Sequence, residues 1–236
     1  MKIPRDLTLL IHFLFDECVP PILRDRKWFM YLPIKILFGK KSDLIFNFKE
    51  IFNKSSDEEI INLYRELQDV GILQRETDIN TKCLAKLETC IVGKNVLDIA
   101  CGRAYLTDKL SRNYSVTGAD FVIDETIKQK YSHIKFVDAD ITKLPFKNRQ
   151  FDTTICAHTL EHIKNIQQAI HELRRVTRQR LIIIVPMQRP YKYTFDPHVH
   201  FFPYRHSLMQ LMGKNGKQQI CENVGGDLFY MEDISP

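Results

Sequence analysis

Three aspartates, Asp98, Asp120 and Asp140, stand about twenty residues apart, each within or just after a short apolar run. Carboxylates at strand ends can accept hydrogen bonds from sugar hydroxyls or an amino group. Two residues after the first of them begins Ala100-Cys101-Gly102-Arg103-Ala104. Small residues there leave room for a ligand to reach backbone N–H groups at the start of the next helix. A fourth apolar run closes on Ala157-His158, and His162 follows in LEH. Further along, His198 and His200 alternate within RPYKYTFDPHVHFFPYRH, which also carries six aromatic residues. Imidazoles titrate near neutral pH and can take a proton from a hydroxyl. The chemistry on offer is therefore nucleoside binding by carboxylates and proton removal by histidine. His171 lies well along a predicted helix and is set aside.

These groups need strands that end together. The apolar runs predict strands at Val96–Ile99, Ser115–Ala119, Ile134–Val137, Thr153–Ala157 and Leu181–Val185, with helix-compatible segments between most of them, including Gln167–Arg174. Such alternation predicts a parallel α/β sheet with right-handed crossovers. Leu181–Val185 is apolar on both faces, as a covered central strand must be. Ser207–Met212 can be helical, and Gln218–Val224, Gly225-Gly226 and Asp227–Met231 predict an antiparallel hairpin. Before Lys94 the texture is helical. Leu7–Phe15 has an apolar face, Ser55-Ser56-Asp57-Glu58-Glu59 reads as a helix start, and Ile60, Leu63, Tyr64 and Leu67 repeat at helical spacing. A further helix is expected over Thr81–Ile91. Residues 1–93 are read as a helical extension or lid, and residues 94–236 as the ligand-binding domain.

The segments VLDIACGRAYL, VTGADF, DADITKLPF, FDTTICAHTLEHI and LRRVTRQRLIIIVP resemble class I S-adenosylmethionine-dependent methyltransferases, in the group acting on small molecules, quinones and lipids. That resemblance implies a Rossmann-like seven-stranded sheet, mostly parallel with a C-terminal antiparallel hairpin, and S-adenosylmethionine as cofactor. It places Asp98 near the cofactor's amino group, and Ala100, Cys101 and Gly102 along its methionine part. Asp120 would hold the ribose hydroxyls and Phe121 the adenine. Asp140 and the Ile141 backbone would read the adenine edge, with Ala157 or His158 at the methionine end. Ala100 and Ala104 replace glycines of the family's first motif, which is tolerable where φ stays negative. Thr177-Arg178-Gln179-Arg180 replaces a Gly-Gly before the fifth strand and is expected to reshape a surface turn.

An in-line methyl transfer needs positioning, and a base where the acceptor is a hydroxyl. The expected reaction is methylation of a small or lipid-linked acceptor, at oxygen, with His162, His198 or His200 as base. His200 is favoured because it lies deeper in the aromatic run. An extended His198-Val199-His200 would point both imidazoles the same way. Too few carboxylates flank them for a magnesium-type site, and no metal is expected. The competing reading is a non-catalytic module on the same fold.

A net charge of +5 is too small to argue for nucleic acid. Six scattered cysteines without a CxxC pair suggest neither zinc nor a disulfide framework. Lys2 and Arg5 precede an apolar stretch, but Asp16 and Glu17 follow with no cleavage site, so a cytoplasmic protein is expected. Residues 24–41 join basic residues to Trp28, Phe29, Met30 and Tyr31. They fit either a lid over an apolar acceptor or peripheral contact with a membrane.

Overall fold

The computed structural model of the 236-residue chain describes residues 11, 13–68, 76–214 and 218–234. The helix expected over Leu7–Phe15 lies largely outside the described residues. The chain divides into two compact units, Met1–Arg75 with Gln188–Phe201, and Glu76–Met187 with Phe202–Pro236. This differs from the sequence reading in two ways. The helix over 81–90 belongs to the sheet's unit, because Cys83, Leu84 and Leu87 are buried with Val96, Val116 and Ile182 of the strands. Residues 188–201 join the first unit, because Tyr191 and Phe195 are buried in its core.

The first unit is built on α1 (Lys27–Phe38), α2 (Ser42–Lys54) and α3 (Asp57–Gln68). Gly39, at φ 52°, ends α1 and donates its N–H to the Lys35 carbonyl. A reciprocal pair starts α3: Glu59 accepts from the Ser56 N–H at 2.7 Å, and the Glu59 N–H reaches Ser56 Oγ at 3.4 Å. Met30, Ile34, Phe48, Phe52 and Leu67 fill the space between these helices. Among the described residues no helix is long and apolar enough to cross a membrane.

The second unit is a seven-stranded sheet, with β1 (Asn95–Ile99), β2 (Ser115–Asp120), β3 (Lys135–Asp138), β4 (Phe151–Ala157), β5 (Thr177–Pro186), β6 (Gln218–Val224) and β7 (Asp227–Asp233). Its order is β3-β2-β1-β4-β5-β7-β6. The first five strands run parallel, and the β6–β7 hairpin joins antiparallel through β7. Chain direction therefore brings the carboxyl ends of β1 to β5 to one edge, and the order reverses between β1 and β4. That reversal makes the crevice where an α/β sheet takes a ligand.

Alternate residues cover opposite faces. Leu97, Ile99, Leu181 and Ile183 pack with α7 (Ile166–Val176) and α8 (Arg205–Met212). Val96, Ile182 and Ile184 pack with α4 (Thr81–Cys90) and α5 (Tyr105–Ser111), and α6 (Glu125–Lys130) links β2 to β3. Thr177–Arg180 is not a surface turn. It is the first part of β5, held by Gln179 on Asp152 Oδ1 at 2.9 Å and by Arg180 on Asp233 Oδ1 at 2.7 Å. The side-chain charges that made it look like a loop are met by acids on its neighbours.

Candidate active site in the sheet unit

Asp98 sits one residue before the end of β1, on the face packed by α5. Its buried carboxylate accepts a hydrogen bond from Thr107 Oγ1 at 2.6 Å. Burial raises its pKa to about 7; the Thr107 hydroxyl opposes that shift and the nearby Asp120 charge adds to it. Thr107, nine residues on, was not singled out from the sequence, since a threonine in an otherwise apolar helix face gives no signal of its own.

Past β1 the chain turns through Ala100, Gly102 and Ala104 at φ 57°, 51° and 62°. The condition under which the two alanines are tolerable, a negative φ, is not met: both occupy the left-handed region that glycine fills without a Cβ penalty. The turn is fastened from β2. Asp120 Oδ2 accepts the Gly102 N–H at 2.7 Å, and its Oδ1 accepts the Phe121 N–H at 2.7 Å. The Cys101 N–H reaches the Ala119 carbonyl at 3.1 Å. Burial raises the Asp120 pKa, and the two backbone N–H groups oppose that. Burial, with Asp98 and Asp120 beside it, pushes the Cys101 thiol up as well, so it is not a nucleophile at neutral pH.

Next along the edge, Asp120 lies in register with Asp138 of β3, and Asp140 follows two residues beyond. Asp140 Oδ1 caps its own loop, accepting from the N–H and hydroxyl of Thr142, each at 2.8 Å. Ile141 is buried, and Phe121 and Val122 are 44% and 52% exposed beside this edge.

At the end of β4, His158 has φ 50° and donates its N–H to the Ile184 carbonyl at 2.8 Å. Its ring faces two carboxylates that are fully buried. Nδ1 lies 3.5 Å from Glu161 and Nε2 lies 3.4 Å from Asp227. Burial alone would lower its pKa, but Asp227 and Glu161 more than reverse this and raise it to about 10. The ring is thus an imidazolium committed to protein partners. Asp227 and Glu161 were not foreseen, because their meeting depends on β7 lying beside β5.

The proposed bases divide between the units. His162 closes the turn Leu160–His162 after β4, four residues before α7. His198 and His200 belong to the first unit, in irregular chain rather than a strand, His198 buried and His200 half-buried. His198 Nδ1 is 2.7 Å from Gln188 Oε1. The same unit holds Lys49, whose Nζ donates to the Tyr191 carbonyl and lies 4.5 Å from the Phe201 ring centre. Burial lowers its pKa to about 8, against the attraction of Asp25.

Residues 97–185, which span β1 to β5 and all three strand-end aspartates, match the family described as methyltransferase domain. Residues 97–185 are similar to the class I S-adenosylmethionine-dependent methyltransferases, and the sheet unit has their fold. Its sequence is 33% identical over 96 residues to 2-phytyl-1,4-naphtoquinone methyltransferase of Trichormus variabilis, covering 36% of this chain and 42% of that protein. It is 28% identical over 135 residues to the ubiquinone/menaquinone biosynthesis C-methyltransferase UbiE of Stutzerimonas stutzeri, covering 52% of each. The chain thus spans about half the length of these relatives. Its fold resembles N-methyltransferase NodS of Bradyrhizobium japonicum, solved with S-adenosyl-l-homocysteine, with a TM-score of 0.56, 17% identity, and coverage of 76% of this chain and 100% of that one.

The methyl donor of this family is S-adenosylmethionine, which supplies an electrophilic methyl group on a sulfonium. The methyltransferase domain fits it. A Cβ built on Gly102 would meet nothing within 4 Å, so the face of the turn is open to a ligand. Carboxylates stand at three successive strand ends, the acceptor set that a ribose and an amino group require.

The two left-handed alanines give a stability prediction. A Cβ in this region costs about 1–2 kcal/mol, and glycine returns about 0.5–1 kcal/mol of that through unfolded-state entropy. Ala100→Gly and Ala104→Gly are each expected to stabilise the domain by about 0.5–1 kcal/mol, read as a higher urea midpoint at unchanged slope. Equal or lower midpoints for both variants would show that neighbouring contacts relieve the strain.

Proposed function

We propose that this protein transfers the methyl group of S-adenosylmethionine to an apolar, quinone-type acceptor that carries an aromatic hydroxyl. The observation that carries the reading is Asp120: its carboxylate closes β2, fastens the open left-handed turn, and stands in line with Asp98 and Asp140. In this reading Asp120 holds the ribose hydroxyls and Phe121 covers the adenine. The Ile141 backbone and Asp140 meet the adenine edge. Ala100, Cys101 and Gly102 flank the methionine part, with Asp98 at its amino group and the backbone of Ala157 and His158 beyond. The acceptor class comes from the quinone methyltransferases that the sequence resembles. Once such a hydroxyl is ionised, either its oxygen or the adjoining ring carbon can attack the methyl group. Oxygen is the acceptor atom expected from the sequence, and the product distinguishes the two.

Calorimetry with S-adenosylmethionine and its demethylated product tests the reading. Both are expected to bind at micromolar concentration. Asp120→Ala should weaken both by about 1.5–3 kcal/mol, the worth of hydrogen bonds to a charged group. No binding by the unmodified protein at millimolar ligand would instead favour the non-catalytic module. With a reduced naphthoquinol as acceptor, mass spectrometry is expected to show the gain of one methyl group. Base-stable aryl methyl ether in the product identifies oxygen, and a ring-methylated quinone identifies carbon.

A further inference from the structure

Helix α1 is apolar on two opposite sides. Met30 and Ile34 are fully buried in the first unit's core, whereas Trp28, Leu32 and Ile36 are 70%, 64% and 72% exposed. Spacing of four places the exposed three along one stripe of the helix, and half-exposed Tyr31 borders it. A contiguous apolar stripe of this kind marks an interaction surface.

Charge identifies what the surface meets. Between Asp25 and Asp43 stand Arg26, Lys27, Lys35, Lys40 and Lys41, with no acid among them. Their five charges equal the net charge of the whole chain, so the remaining sequence is formally neutral. Arg26, Lys27, Lys35 and Lys40 are exposed. A second copy of this chain would bring an equally cationic rim against this one, which opposes self-association. An anionic bilayer complements it. Ammonium and guanidinium groups meet lipid phosphates, indole and phenol rings sit at headgroup depth, and aliphatic side chains reach the acyl boundary. Twelve residues make a helix of about 18 Å, far short of a hydrocarbon core of about 30 Å, so the arrangement lies in the surface plane.

We propose that α1 docks the protein on anionic membrane surfaces, with Trp28, Leu32 and Ile36 inserted and the lysines around them on lipid headgroups. The inference does not depend on the methyl-transfer reading, and its test uses neither donor nor acceptor. Trp28 is the only tryptophan in the chain, so its fluorescence reports this helix directly. Full-length protein is mixed with vesicles of phosphatidylcholine alone or with phosphatidylglycerol. With the anionic vesicles, Trp28 emission is expected to shift to the blue and the protein to float with the lipid, less so at high salt. Leu32→Ser with Ile36→Ser, and separately Lys35→Glu with Lys40→Glu, are expected to lower partitioning about tenfold or more, with circular dichroism unchanged. All four positions are exposed, so the fold tolerates these changes. Unshifted emission and no flotation with anionic vesicles would overturn the proposal. So would a blue shift that grows with protein concentration in the absence of lipid, which would assign the surface to a second copy.

Discussion

His158→Ala is expected to destabilise the methyltransferase domain by about 3–5 kcal/mol, the range found when one partner of a buried ion pair is removed. His158 stands between Glu161 and Asp227, and both of these side chains are fully buried. Without the imidazolium, two carboxylates would be left in a medium of low dielectric. Asp227 would keep only part of its compensation, including the hydrogen bond from Asn80 Nδ2 at 2.7 Å. The sign of the pH dependence follows from the direction of the shift. The folded-state pKa of about 10 lies above the ordinary histidine value of 6.5, so the folded state holds this proton more tightly. Its contribution is complete below about pH 6.5 and is lost as pH rises through about 10. Urea unfolding at pH 6 and at pH 9.5 checks both statements. The unmodified protein should lose stability between the two, and His158→Ala should lose much less. Equal midpoints for variant and parent at pH 6 would show that the two carboxylates are protonated or otherwise satisfied without the histidine.

The second large effect is on turnover. His198→Ala is expected to slow methylation of a hydroxyl acceptor about 10²-fold or more while leaving the affinity for S-adenosylmethionine unchanged, as the loss of a general base does. Sequence reasoning leaned towards His200 because of its aromatic surroundings. The Gln188 contact moves the preference. With Nδ1–H donating to the Gln188 carbonyl at 2.7 Å, the ring is held in one orientation. His200 and His162 are the controls, each expected to change turnover only a few-fold. Lys49→Met is the competing variant, since burial brings that amine near the working pH. Rates within a few-fold of the parent for all three histidine variants, with a large loss for Lys49→Met, would assign the proton to the lysine.

The parallel core of the fold was legible because its signals are local. Leu181–Val185 is apolar throughout, as a strand covered on both faces must be. Gly225-Gly226 adopts the positive φ values that a tight hairpin turn needs. The strand-end acids were legible for the same reason, since each sits at the end of its own apolar run. What the sequence left hidden depends on partners far along the chain. Arg178 and Arg180 look like loop residues until Asp152 and Asp233 are placed beside them. Nothing local marks the ring of His158 as enclosed until β7 delivers Asp227. The φ of Ala100 and Ala104 was hidden because an alanine in a tight turn carries no mark of the conformation imposed on it. There, Asp120 and the register of β1 with β2 decide.

The discontinuity of the first unit bears on how the protein is made. Its helices leave the ribosome early, but Tyr191 and Phe195, which complete their core, are encoded beyond most of the methyltransferase domain. Synthesis at about 5–20 residues per second puts something of the order of ten seconds between the two segments. For that interval the faces of α1 and α2 that bear Met30, Ile34, Phe48 and Phe52 lack those two aromatic partners. The sheet's first five strands are translated within the same interval. Nascent chains halted just before residue 188 therefore carry an incomplete helical unit, and such chains are where demand for a chaperone should be greatest.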